Sequence, residues 1–207
     1  MGITNPRFVN DNLSLSEEKD IEHAFTCIFN NDLEGLQQIL QNLSDASLVN
    51  ETFRSETLLY RATSVGNLEM VQLLLKEKDI QVDKRNVNET PLSRAVILQN
   101  VEIAKLLLQH GADANVIGTL PFNSNDECLS CLGSAIHYNN RELFDLLVSY
   151  GANYENENGV EEFMLKQDIS RKYLKGLYNS KRIVKTLFSS RTLSELFPAD
   201  VQVCHSL

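Results

Sequence analysis

The chain has 207 residues, 43% hydrophobic and 23% charged, with no Trp and only four Pro. This composition fits an ordinary globular chain and excludes collagenous and low-complexity classes. The net charge of −9 argues against a nucleic-acid binder. No window approaches ~18 consecutive apolar residues, so no membrane span is expected. Nor does the N-terminus carry the basic and apolar regions of a secretory signal. Four Cys (Cys27, Cys128, Cys131, Cys204) without framework spacing suggest a reduced, cytoplasmic protein. Asn occurs 20 times, which reads first as a trace of AT-rich coding and only weakly as structure.

In chain order, residues 1–13 read as a flexible N-terminus. Ser14, with Glu17 three positions on, forms a capping-box signature that opens a helix through about Phe29. Four segments then share one pattern, marked by a Glu at 34, 69, 102 and 142. The clearest runs Glu89-Thr90-Pro91-Leu92, Ala95, Asn100, Glu102, Leu106-Leu107-Leu108 and Gly111-Ala112-Asp113. Thr90 suits a helix N-cap and Pro91 the first helical position, where a missing N–H costs nothing. Ala62, Ala95 and Ala135 are small where two helices approach closely. Leu73 to Leu75 and Leu106 to Leu108 read as the buried stripe of a second helix. Gly111 and Gly151 supply the positive φ that ends it.

A period near 33 with this content resembles the ankyrin repeat, a β-turn followed by two antiparallel helices. The resemblance implies an all-α solenoid of about four helix pairs with a helical C-terminal cap. The units are expected near 14–50, 51–84, 85–125 and 126–158, with capping helices over 159–207. The repeats are degenerate. The family's His after Thr-Pro-Leu is replaced by Tyr60, Ser93 and Gly133. Between the helices, Gly survives at Gly66 alone, with Asn31, Gln99 and Asn139 elsewhere. The longer last spacing places an insertion in Val116 to Cys131, expected to project as a finger.

The family binds proteins on its concave side. Carried over by alignment, that face is expected to present Phe29, Val65, Ile97, Leu98, His137 and Tyr138. Asn30 and Ser64 are aligned with them, and the tip residues are Arg54, Asn86, Val87 and Glu127. The expected partner is a protein, with no nucleic acid and no cofactor, the chain acting as a monomer. Asn-rich degenerate ankyrin chains of this kind also resemble effectors that intracellular bacteria deliver into host cells. A eukaryotic-type adaptor is the nearest alternative.

Residues 1–158 hold 11 Lys+Arg against 23 Asp+Glu, whereas residues 159–207 hold 8 against 5. The basic residues Arg171, Lys172, Lys175, Lys181, Arg182, Lys185 and Arg191 follow one another without an intervening acid. They read as a solvated face of the capping helices, with an anionic membrane surface as the lesser alternative. Cys128 and Cys131 make the only CxxC and lack a second pair, so no metal site is expected. No nucleophile elbow, zinc-protease motif or phosphate loop occurs, and the chain is not expected to be an enzyme. An enzyme with its chemistry at the repeat/C-terminal junction remains the remote alternative.

Overall fold

In the computed structural model, residues 13–86, 89–119, 128–154, 164 and 167 are described. Among them, eight α-helices form four pairs. They are α1 (Leu15–Phe29) with α2 (Leu33–Asn42), α3 (Leu58–Val65) with α4 (Leu68–Leu74), α5 (Pro91–Ile97) with α6 (Val101–Gln109), and α7 (Cys131–His137) with α8 (Arg141–Ser149). A 3-10 turn, Ala46–Asn50, and a two-stranded hairpin of β1 (Ile117–Thr119) and β2 (Cys128–Ser130) complete the elements. The expected all-α solenoid of four helix pairs is what forms.

Local chemistry sets each boundary. The first helix of every pair is capped by a hydroxyl: Ser14, Thr57, Thr90 or Ser130 accepts from the N–H three residues on. The second helix is capped by an Asx side chain instead, namely Asp32, Asn67, Asn100 or Asn140. Each cap satisfies a helix N–H that has no partner within the helix.

Between the two helices of each pair the chain passes once through the left-handed region, at Asn31 (φ 59°), Gly66 (79°), Gln99 (56°) and Asn139 (53°). The next N–H then reaches back to the carbonyl of the small residue five positions earlier. Asp32 donates to Cys27 at 2.8 Å, and Asn100 to Ala95 and Asn140 to Ala135 at 2.9 Å. Gly66 needs no Cβ relief at its turn, whereas the β-carbon of Gln99 does. The side chain of Gln99 is exposed, so little else depends on it. Gln99→Gly is therefore expected to stabilise the chain by about 0.5–1 kcal/mol, the left-handed strain relieved exceeding the added unfolded-state entropy. Denaturant titration would show this as a raised midpoint with unchanged slope; a lowered midpoint would contradict it.

The first helices stack in one row, α1 on α3 on α5 on α7, and the second helices in another. Contacts within the first row are the more extensive, so the array curves with that row on the inside. Small side chains permit this approach: Ala62 and Ala95 are wholly buried, with Ala135 and Cys27 in the equivalent places. The core runs between the rows. Met70, Ile103 and Leu143 repeat in register, as do Leu74, Leu107 and Leu147, all without exposed surface. Leu73 and Leu106, expected in this stripe, are only half-buried at its rim.

Polar ladders join successive units at the turn ends. The Asn50 amide donates to the Asp79 carbonyl at 2.7 Å and accepts from the Gln81 N–H at 2.8 Å. Asn115 repeats this two intervals later, donating to the Gly151 carbonyl and accepting from the Asn153 N–H. Asn thus serves as helix cap, left-handed turn residue and inter-repeat bridge. Those roles give the Asn content a structural basis beyond coding bias.

The expected insertion opens and closes as an antiparallel ladder, with Ile117 opposite Ser130 and Thr119 opposite Cys128. Its tip, including Glu127, lies outside the described residues. Beyond Tyr154, Met164 is buried in the core. Gln167 meets the last helix pair, its carbonyl accepting from Arg141 and its amide donating to Asn139, each at 3.0 Å. The rest of the expected C-terminal cap lies outside the described residues.

Candidate functional site

The concave row displays one position of each first helix immediately before the left-handed turn: Asn30, Val65, Leu98 and Tyr138. Val65 (44% exposed) and Leu98 (43%) face solvent despite being aliphatic, and Tyr138 is half-buried. One residue earlier come Phe29, Ser64, Ile97 and His137. Phe29 is 78% exposed and His137 is exposed, its ring meeting Tyr138 edge-on at 5.1 Å.

Ile97 departs from the expectation of a solvent-facing residue. It is buried, at 8% exposure. Its helix α5 is central, flanked by α3 and α7, and β1 of the insertion lies against it. Phe29 is on the end helix α1 and has a neighbour in the row on one side only. Ile97 is therefore removed from the accessible set. Val87 and Glu127, and the basic residues Arg171 to Arg191, lie outside the described residues. Asn86 is half-buried, its N–H donating to the Glu89 carbonyl at 2.9 Å.

Arg54 occupies a tight turn in which Phe53 bridges Glu56. Arg54 and Ser55 are both left-handed there, at φ 53° and 65°. The Arg54 guanidinium lies 5.2 Å from the centre of the Phe53 ring, and Phe53 packs on Phe25 at 5.3 Å. Between this turn and α1 opens a groove of about 220 Å³, lined by Glu22, Phe25, Thr26, Phe29, Phe53, Arg54 and Arg61. Of these, sequence reasoning found only Phe29 and Arg54, because the others are not aligned with the exposed positions of the repeat.

A second constellation was also missed. Glu56 pairs with Arg61 at 2.8 Å, and one repeat later Glu89 approaches Arg94 at 3.8 Å. The signal was present in the sequence as a Glu and an Arg five apart, recurring at one period. Glu89 is buried and also accepts a 2.7 Å hydrogen bond from the Tyr60 hydroxyl. Tyr60, standing where the family has His, thus links its own repeat to the next. Burial, and then the Glu89 carboxylate, push the Tyr60 hydroxyl up to about 12.

Burial, reinforced by Asp113 and Asp83, likewise holds the Cys131 thiol up at about 12. Cys131 takes the first helical position of α7, where its side chain is enclosed. A thiol kept protonated in this way is a poor nucleophile and a poor metal ligand. A thiol reagent is expected to modify Cys131 in the folded chain far more slowly than in the denatured one. Equal rates in the two states, followed by peptide mass mapping, would contradict the buried placement. Among the described residues, no group of three or more His, Cys, Asp or Glu is placed to hold a metal ion.

Two stacked rows of short helices, with exposed apolar side chains on the inner row, define a helical-repeat solenoid. A family profile of ankyrin repeats in three copies matches residues 24–117. Residues 24–117 thus carry ankyrin repeats, and the ankyrin repeat is a protein–protein interaction module, generally non-catalytic. The chain is 39% identical over 90 residues to the ankyrin repeat and KH domain-containing protein mask of Drosophila melanogaster, covering 41% of this chain and 2% of that protein. It is 29% identical over 94 residues to alpha-latrocrustotoxin-Lt1a of Latrodectus tredecimguttatus, covering 45% of this chain and 6% of the toxin. Among the described residues, no helix is long and apolar enough to cross a membrane.

Proposed function

We propose that the chain acts by binding one protein partner along the concave row, without catalysis. The observation that carries this reading is the exposed apolar strip of Phe29, Val65 and Leu98 on an otherwise well-packed helix row. Contiguous exposed apolar side chains on a charged protein mark an interaction surface. His137 and Tyr138 extend the strip to the last repeat, and Arg54 borders it at the first. The finer assignment, a bacterial effector acting on a host protein, rests on the likeness of these Asn-rich degenerate repeats to such effectors. A second reading, an adaptor of eukaryotic type, is favoured by the animal origin of both similar proteins.

The test is affinity capture of the partner, followed by binding measurements on a triple variant, Phe29→Ser, Val65→Ser and Leu98→Ser. All three side chains are solvent-exposed, so binding is expected to weaken at least ~10-fold with the melting temperature little changed. Binding that survives the triple change would sink the concave reading. Fusing the chain to a translocation reporter separates the effector from the adaptor.

A further inference from the structure

We propose that the groove between α1 and the Phe53–Glu56 turn is the principal anchor of this face, taking a partner peptide in which a large apolar side chain stands beside a carboxylate. This rests on the concave-face reading and names the chemistry of its partner.

Three observations converge on it. The first is shape and polarity. Phe25 and Phe53 are buried and pack ring on ring, while Phe29 stands almost fully in solvent beside them. A groove of about 220 Å³ with these aromatic walls suits one large aliphatic or aromatic side chain. Phe29 gains nothing from its present exposure, and an apolar side chain entering the groove would cover it.

The second is charge. Arg61 is engaged by Glu56, whereas among the described residues Arg54 belongs to no ion pair. The Arg54 guanidinium meets the Phe53 ring. A guanidinium carries five N–H donors, and a cation–π contact occupies it with no acid, so it can still take a carboxylate by paired hydrogen bonds. The groove therefore presents, at its apolar edge, a cation outside the described ion pairs, with Glu22 the single acid among the lining residues. That placement selects an acidic group adjacent to the apolar anchor.

The third is the backbone under Arg54. A two-residue turn with both φ positive is best served by Asn-Gly or Asp-Gly. Here Arg54 and Ser55 occupy it at a cost in strain. The turn alone gives no reason for an arginine, whereas carboxylate recognition does.

The experiment titrates the isotope-labelled full chain with three blocked peptides while amide NMR signals are followed. One peptide carries adjacent phenylalanine and glutamate, one has glutamine for that glutamate, and one has serine for that phenylalanine. The first is expected to shift the amide signals of Phe29, Phe53 and Arg54, and to bind roughly 3- to 10-fold more tightly than either of the others. Arg54→Asn is expected to melt no lower than the native chain, since Asn tolerates the left-handed turn, yet to bind the glutamate and glutamine peptides equally. Equal binding of those two peptides to the native chain would overturn the carboxylate assignment. Shifts confined to Leu98 and Tyr138 would overturn the anchor while leaving the concave reading intact, and no shift at millimolar peptide would overturn the anchor outright. The concave reading itself fails only if the Phe29, Val65 and Leu98 triple variant keeps the captured partner.

Discussion

Ala95→Arg is expected to abolish cooperative folding. Ala95 has no exposed surface, and its carbonyl receives the Asn100 N–H that closes the turn from α5 to α6. Its helix packs on α3, α6 and α7, so the substitution strikes three contacts. An arginine there brings a large side chain into a close-packed row and buries a cation without a partner. Each effect costs several kcal/mol, and a domain of this kind has only ~5–15 kcal/mol in all. The expected circular dichroism melt has no sigmoidal transition. A variant melting within a degree or two of the native chain would show that the helix rows are not packed through this residue.

Tyr60→Phe is expected to cost about 2–3 kcal/mol, although the ring is kept. The lost group is the 2.7 Å hydroxyl donor to buried Glu89, whose remaining cation, Arg94, lies at 3.8 Å. Removing one partner from a buried charged acceptor costs more than the net value of the bond. The same hydroxyl makes stability depend on pH. Its folded-state value is about 12 against the ordinary 10 of a tyrosine, so the unfolded chain loses that proton first. The stabilisation is whole below pH 10 and drains away as pH rises from 10 towards 12. Denaturant titrations through that window should show the native chain falling more steeply than Tyr60→Phe, which lacks the group. Parallel curves would mean that Tyr60 is not held by Glu89.

The helix boundaries were legible because each is a local event. Ser14 with Glu17, and Thr90 with Pro91, announce their helices within three or four residues, and the structure places capping boxes at Ser14 and Thr90. The left-handed turns were legible in the same way, since the positions aligned with Gly66 are those found at positive φ. Exposure was less legible. Ile97 and Leu98 are neighbours of similar character, yet one is buried and the other 43% exposed. The difference comes from what lies against α5, including a strand from the insertion some twenty residues further on. The groove escaped for the same reason: Phe25 and Phe53 are 28 residues apart and meet only when the first two units stack.

By itself the sequence determined the repeat, the four helix pairs, the caps at Ser14 and Thr90 and the turn positions aligned with Gly66. All of these follow from spacing, or from a side chain bonding its own backbone a few residues away. The tertiary structure alone decided which apolar residues of the inner row stay in water. It also decided that Tyr60, in place of the family's His, would donate to the buried Glu89 of the next unit. It left Arg54 over an aromatic ring and outside the described ion pairs. Accessibility and ion pairing depend on neighbours brought in by stacking, and one repeat's sequence carries no record of what the adjacent repeats place against it.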